Sequence, residues 1–190
     1  MKKIIITTLS ITLIISAWLS TSPFKYNAKS GLYQLENKIT INQPVEKVFS
    51  YLGNSGNASK WSSYVSHIKT INPNEVKDGT TGSIRRCFKK ANEQGIVWDE
   101  EITQVKTNQL RELSIFNLNG FPIKSNDLFT QQQYHPVSKQ QTILVFGLYK
   151  PKTKLTGFTD WLKLKSTGYY VAFIFNKNLN NIKKEIESLS

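Results

Sequence analysis

Few residues in this chain are equipped for chemistry, and the sharpest pair is Arg86 with Glu100. They lie in two apolar runs, Ser83 to Lys90 and Gly95 to Lys106, on either side of the polar turn Ala91 to Gln94. Paired as a hairpin with residue numbers summing to 186, the runs set Phe88 against Trp98, Arg86 against Glu100 and Ile84 against Ile102 on one sheet face. A buried arginine needs a carboxylate, and such a pair can orient a ligand carboxylate or hydroxyl, or polarise a carbonyl. The competing arrangement puts this pair on a solvated face, with Arg85 and Asp99 or Glu101 inward; Phe88, Trp98 and Ile102 argue against it. Trp61, Trp98, Tyr134, Phe146, Tyr169 and Phe173 are candidates for an aromatic pocket wall, although core packing is the other fate open to them. The two histidines, His67 and His135, are in no metal-binding spacing and read as surface or loop residues. Of the two, His67 is the better placed as a general base, because it follows the turn that carries Trp61. The single cysteine, Cys87, rules out an intramolecular disulfide framework, and with no helix start or base beside it, it is a poor nucleophile. No GxSxG, P-loop or dinucleotide fingerprint is present, so no cofactor and no metal are expected.

The elements that must position these residues are legible from their periods. From Leu155 to Leu189, apolar residues recur at three- and four-residue steps, through Phe158, Leu162, Tyr169, Ala172, Phe173, Leu179, Ile182 and Ile186. The spacing predicts one long amphipathic helix, although Tyr169 to Phe175, YYVAFIF, also suits a buried strand. Upstream, Leu35 to Gln43 alternates as a half-buried strand. Pro44 then opens a short helix with Val45, Val48, Phe49 and Leu52 at helical spacing, closed by Gly53 or Asn54. A turn with Trp61 and Tyr64 follows, then strands at His67 to Asn72, Ser83 to Lys90, Gly95 to Lys106, Gln109 to Asn117, Leu128 to Tyr134 and Gln141 to Tyr149. A single long helix at the end of so many strands needs a curved sheet to bury its apolar stripe.

Hydrophobic residues make up 39% and aromatics 12% of the 190, enough for one folded domain with a core. Residues 1–20 read as an N-terminal membrane anchor or signal segment, 21–34 as a linker and 35–190 as the domain. Lys2 and Lys3 precede an uncharged run from Ile4 to Leu19. Pro23 would follow the best cleavage position, which favours an uncleaved anchor with the domain outside the cytoplasm over a cleaved signal and a secreted or periplasmic domain. The net charge is +12, and residues 1–30 supply four lysines and no acid of it. The remaining excess is dispersed and accompanied by no recognition motif, so anionic lipid is the expected partner and nucleic acid is not.

The segment ITINQPVEKVFSYLGNSGNASKWSSYV resembles the opening of the START-related, or SRPBCC, superfamily: a strand ending in proline, a valine and an aromatic anchoring a short helix, and a tryptophan in the next turn. GTTGSIRRCFKKANEQGIVWDEEIT is similar to the glycine turn and the tryptophan-acidic strand of its polyketide cyclase/dehydrase branch. The resemblance spans about residues 35 to 189. It implies an α+β helix-grip (START/Bet v-like) fold, a curved antiparallel sheet around the long C-terminal helix, enclosing a deep apolar cavity. It also implies binding of a hydrophobic small molecule or lipid, which the N-terminal segment would place next to a membrane, or cyclase/dehydrase chemistry, for which Glu100 or His67 are the candidates to move protons, and it favours helix over strand for Tyr169 to Phe175. The N-terminal segment, and Ser166 and Asn176 on the expected inward stripe, depart from the family's soluble pattern.

Overall fold

Alternating polar and apolar side chains build an eight-stranded antiparallel sheet in the computed structural model, which describes residues 16–121 and 127–189. The strands are β1 (Lys25–Asn27), β2 (Leu32–Ile41), β3 (His67–Thr70), β4 (Ile84–Phe88), β5 (Val97–Lys106), β6 (Leu110–Asn119), β7 (Leu128–Ser138) and β8 (Gln141–Pro151). Their order across the sheet is β1-β2-β8-β7-β6-β5-β4-β3, so β2 pairs with the last strand while β3 forms the far edge. Residues 21–34, expected as a linker, contain β1 and the start of β2; Lys25 to Asn27 pairs with Leu32 to Gln34 as an edge hairpin. The expected anchor lies, as far as Ile15, outside the described residues. Among the described residues, no helix is long and apolar enough to cross a membrane.

The described residues also form the helices α1 (Val45–Gly53), α2 (Ala58–Trp61) and α3 (Phe158–Ser188), and residues 16–20 are helical. Pro44 precedes α1, and its carbonyl accepts from the amides of Lys47 and Val48, the position where a missing N–H costs the helix nothing. The stretch Tyr169 to Phe175 is helical. Along its C-terminal half, α3 is packed tightly: Leu179, Ile182 and Ile186 are fully buried with Ile41, Val48, Leu52, Trp61 and Leu144. A second cluster, Phe24, Leu35, Leu148 and Leu164, holds its N-terminal half. Gly168 lets residues 22–24 cross the helix, since a Cβ there would lie 3.0 Å from the Ser22 hydroxyl and 3.2 Å from the Phe24 ring.

The register of the β4–β5 hairpin corrects the sequence reading by one residue. Pairs sum to 185: Arg85 faces Glu100, Arg86 faces Asp99 and Cys87 faces Trp98. The Lys89 amide closes the turn onto the Ile96 carbonyl, and Glu93 (φ 63°) and Gly95 (φ 87°) both take left-handed conformations inside it. Gly95 advertises such a turn, whereas Glu93 does not. A slip of one residue exchanges the two faces of β4 while leaving Trp98, Glu100 and Ile102 where they were expected.

The turn leading into β4 depends on Gly79, which has φ 81° and whose missing Cβ would lie 2.3 Å from the Gly53 carbonyl oxygen. Its neighbour Asp78 accepts from the Ser55 amide at 2.9 Å, tying this turn to the end of α1. Gly95→Ala, where nothing stands within 4 Å, is expected to cost only the backbone term, about 1 kcal/mol. Gly79→Ala adds a backbone collision and should cost about 3 kcal/mol. Urea denaturation of the two variants checks this, and equal losses would show that the Gly53 contact is not tight.

Candidate functional site

The N-terminal half of α3 rests on the sheet beside Leu35 and Leu148 and stands off from much of the remaining inner face. Between them is a predominantly apolar cavity of about 280 Å³. Trp98 and Glu100 on β5, Leu113 and Ile115 on β6, and Phe146 and Leu148 on β8 supply the sheet side. Thr167, Val171, Ile174 and Phe175 supply the helix side, and Trp61 closes one end. Each strand presents these residues at two-residue steps, and the helix at three- and four-residue steps, so regular secondary structure alone aims them inward.

One ion pair stands in this apolar wall. The Arg85 Nε donates to Glu100 Oε2 at 2.9 Å and its Nη2 lies 2.7 Å from the same oxygen. The indole Nε1 of Trp98 donates to the other oxygen, Oε1, at 2.9 Å. Only 8% of the Arg85 side chain and 14% of the Glu100 side chain are exposed. Burial pushes the Arg85 guanidinium down, and the surrounding groups, the adjoining Glu100 first among them, together more than offset it, so Arg85 is a fixed cation. Cys87, two residues along the same face, is fully buried, and burial pushes its thiol well up, which makes it inert as a nucleophile.

Below the cavity floor is a second polar knot. Gln132 lines the cavity, and its Oε1 accepts from the Tyr134 hydroxyl at 2.7 Å and from Arg111 Nη1 at 3.3 Å. Arg111 also donates to the Tyr134 oxygen at 3.0 Å and stacks its guanidinium 4.4 Å from the centre of the Phe49 ring. Burial lowers the Arg111 pKa and raises that of Tyr134. Arg111 Nε has no hydrogen-bond partner among the described residues.

The structure brings Trp61, Trp98, Glu100 and Phe146 of the sequence candidates to the cavity. It places the others elsewhere. Arg86, on the opposite face of β4, has a side chain 46% exposed and binds Asp99 with Nε at 2.7 Å and Nη2 at 2.9 Å. Phe88 is buried on that same outer face because the His67 ring stacks on it at 5.6 Å, so an apolar residue there did not mark the inside. His67 is therefore not at the cavity rim, and its Nε2 lies 3.3 Å from Glu93. Tyr134 is buried under the floor rather than in the wall. Tyr169 turns sideways to stack on Trp18 at 5.4 Å, and Phe173 is 65% exposed. Ser166 bonds back to the Leu162 carbonyl and Asn176 accepts from Asn37, and the polar residues α3 does offer the cavity include Asp160, Thr167 and Asn178.

Sequence reasoning missed Arg85, Tyr64, Phe121, Gln132, Tyr170 and Phe175 as lining residues. Tyr64 is the centre of the mouth, with Trp98 at 5.7 Å, Phe121 and Tyr170 each at 6.3 Å, and the Lys89 ammonium 4.8 Å above its ring. Its place three residues after Trp61 was the available signal. Among the described residues, no group of His, Cys, Asp and Glu could hold a metal ion.

Two tests follow from these pairs. Arg85→Met should lower unfolding free energy by about 3 kcal/mol, because it strands a buried carboxylate, while Arg85→Met with Glu100→Gln should recover part of that loss in the same urea titration. On the outer face, hydrogen bonds from Arg86 and then Asn117 outweigh burial and hold the Asp99 carboxyl below the usual range. A lowered native pKa gives stability that is present above the unfolded value, about 4, and lost as pH falls through the native one. The stability gap between the native sequence and Asp99→Asn should therefore narrow as pH is lowered from about 5.

No family model matches the chain, and no curated protein matches its sequence. Solved structures do match. The protein XoxI of Bacillus cereus superposes with a TM-score of 0.60 at 12% identity, over 82% of this chain and 96% of that one. Norcoclaurine synthase of Thalictrum flavum, solved with dopamine and hydroxybenzaldehyde, gives 0.57 at 10%, over 84% and 88%. The Zhui aromatase/cyclase of a Streptomyces species gives 0.59 at 12%, over 82% and 94%. At such identities the likeness establishes the fold: an antiparallel sheet closed on a long C-terminal helix, the helix-grip arrangement of SRPBCC and Bet v 1-like proteins.

Proposed function

We propose that this protein binds a hydrophobic small molecule or lipid in the cavity beneath α3, holding or passing it on beside a membrane. The observation that carries this reading is the cavity itself, apolar on nearly all sides, with the Arg85–Glu100 pair set into its wall. An empty apolar space costs dispersion contacts and stability, so a fold that keeps one gains by filling it with a ligand that leaves water. The ion pair then acts as a polar landmark in that wall, an acceptor and a donor side by side, and orients a hydroxyl or carbonyl at one end of the ligand. Trp61 adds to this: its indole N–H is buried with no hydrogen-bond partner among the described residues. The uncharged run Ile4 to Leu19 supports a tether to the bilayer, with the domain outside the cytoplasm.

A second reading puts chemistry on the same wall. Glu100 presents a carboxylate to the cavity next to a fixed cation, the arrangement needed to move a proton while an enolate oxygen is held. Norcoclaurine synthase and the aromatase/cyclase share the fold, which lends this reading support. Glu100→Gln separates the two readings, since an enzyme would lose turnover with binding retained.

Titration of the full chain with a fluorescent fatty-acid analogue in mild detergent tests the binding reading. Saturable uptake at one site per chain is expected. Ile115→Trp, which fills the cavity, should weaken it at least about tenfold, and Arg85→Ala should weaken it for ligands with a polar end. Arg86→Ala, on the outer face, should leave it unchanged. No uptake by the native chain, or equal uptake by Ile115→Trp, would overturn the reading.

A further inference from the structure

The outward side of α3 carries Lys163, Tyr170, Phe173 and Lys177 on one stripe, at the three-, four- and seven-residue steps of a single helix face. Tyr170 is 54% exposed and Phe173 65%, on the helix that roofs the cavity, and Tyr170 also belongs to the cavity mouth with Tyr64 and Phe121. Large apolar side chains left in water beside a binding site mark a surface that meets something. The chain itself indicates what. Residues 16–20 are helical and come in beside this stripe: the Trp18 ring stacks on Tyr169, the Tyr169 hydroxyl donates to the Trp18 carbonyl at 2.8 Å, and the Ser22 hydroxyl donates to the Lys165 carbonyl at 2.6 Å. The described end of the uncharged segment, residues 16–19, thus lies on the flank of α3 next to its exposed aromatics.

We propose that the Lys163–Tyr170–Phe173–Lys177 stripe docks on an anionic bilayer surface, so that the mouth between Tyr64, Phe121 and Tyr170 opens toward lipid rather than water. The proposal rests on the reading of Ile4 to Leu19 as a bilayer tether. Aromatic side chains at the interface level with lysines reaching phosphate groups are the usual composition of a surface-lying helix face. Charge selects lipid over the other candidate cover, the chain's own N-terminal run. That run brings Lys2 and Lys3 and no acid, the same sign as the lysines at both ends of the stripe, whereas anionic headgroups complement them. A hydrophobic ligand could then move between bilayer and cavity past Tyr170 without crossing water, which removes the largest cost of its transfer.

The test uses the full chain with Phe173→Cys labelled by an environment-sensitive fluorophore. Cys87 is fully buried and stays unlabelled, and Val137→Cys, 54% exposed at the end of β7, is the control site. Both proteins are reconstituted with phosphatidylcholine vesicles that do or do not contain phosphatidylglycerol. In anionic vesicles the probe at 173 should be quenched by lipid-borne nitroxide, and its quenching by aqueous iodide should fall several-fold below that of the probe at 137. Lys163→Glu with Lys177→Glu should restore iodide access. A chain that floats with the vesicles but leaves the probe at 173 as open to iodide as that at 137 would overturn the docking and leave the tether standing. Shielding from iodide without nitroxide quenching would also overturn it and assign the stripe to the N-terminal run or another protein segment. A full chain that does not float with anionic vesicles would overturn tether and docking together.

Discussion

The pairing of Arg85 with Glu100 is the constraint on which the site depends. Two charges in an apolar wall are tolerable only as a hydrogen-bonded pair, and the pair exists only because the β4–β5 hairpin closes on Lys89 and Ile96. A closure one residue different would send Arg85 outward, bring Arg86 in, and leave Glu100 facing a new neighbour. Trp98 reinforces the arrangement by occupying the second carboxylate oxygen, which fixes the rotamer of Glu100. On the other face, Arg86, Asp99 and Asn117 form an equivalent knot, so the register is held from both sides of the sheet.

The long helix does two opposite things along its length. Its C-terminal half is a packed core element, with Leu179, Ile182 and Ile186 sealed against α1, β2 and β8. Its N-terminal half is a roof that meets the sheet through Phe24 and Leu164 at one end and through Phe175 at the other, whose ring lies 5.9 Å from that of Phe146 on β8. The cavity results from this difference, since a rigid helix anchored at one end cannot collapse onto a sheet that curves away from it. Polar residues on the roof, Thr167 and Asn178, do not spoil it; the Asn178 oxygen is taken up by the Ser63 amide at 2.7 Å and hydroxyl at 2.8 Å.

How much of this was readable from the sequence varies with the kind of signal. Element order and the strand face of β8, with Thr142, Leu144, Phe146 and Leu148 inward, follow from two-residue alternation. Pro44 and Gly53 marked the bounds of α1. The phase of α3 between residues 169 and 175 did not follow, because YYVAFIF is apolar on every side and offers no unique stripe; the structure turns Val171, Ile174 and Phe175 inward and leaves Phe173 in water. The hairpin register was lost at Glu93, a residue with no left-handed preference, and at Phe88, buried on the outer face by His67. Read from the sequence, Phe88 argues against an inward Arg85, and its burial on the outer face removes that argument.

The central claim is an apolar cavity filled by a hydrophobic passenger and oriented by one ion pair. Native mass spectrometry of the gently purified chain, with organic extraction of whatever it carries, tests it most directly. The account predicts one hydrophobic molecule per chain in the native protein and none in Ile115→Trp. A clean mass for the bare chain that persists after exposure to a panel of lipids and polycyclic compounds would contradict it.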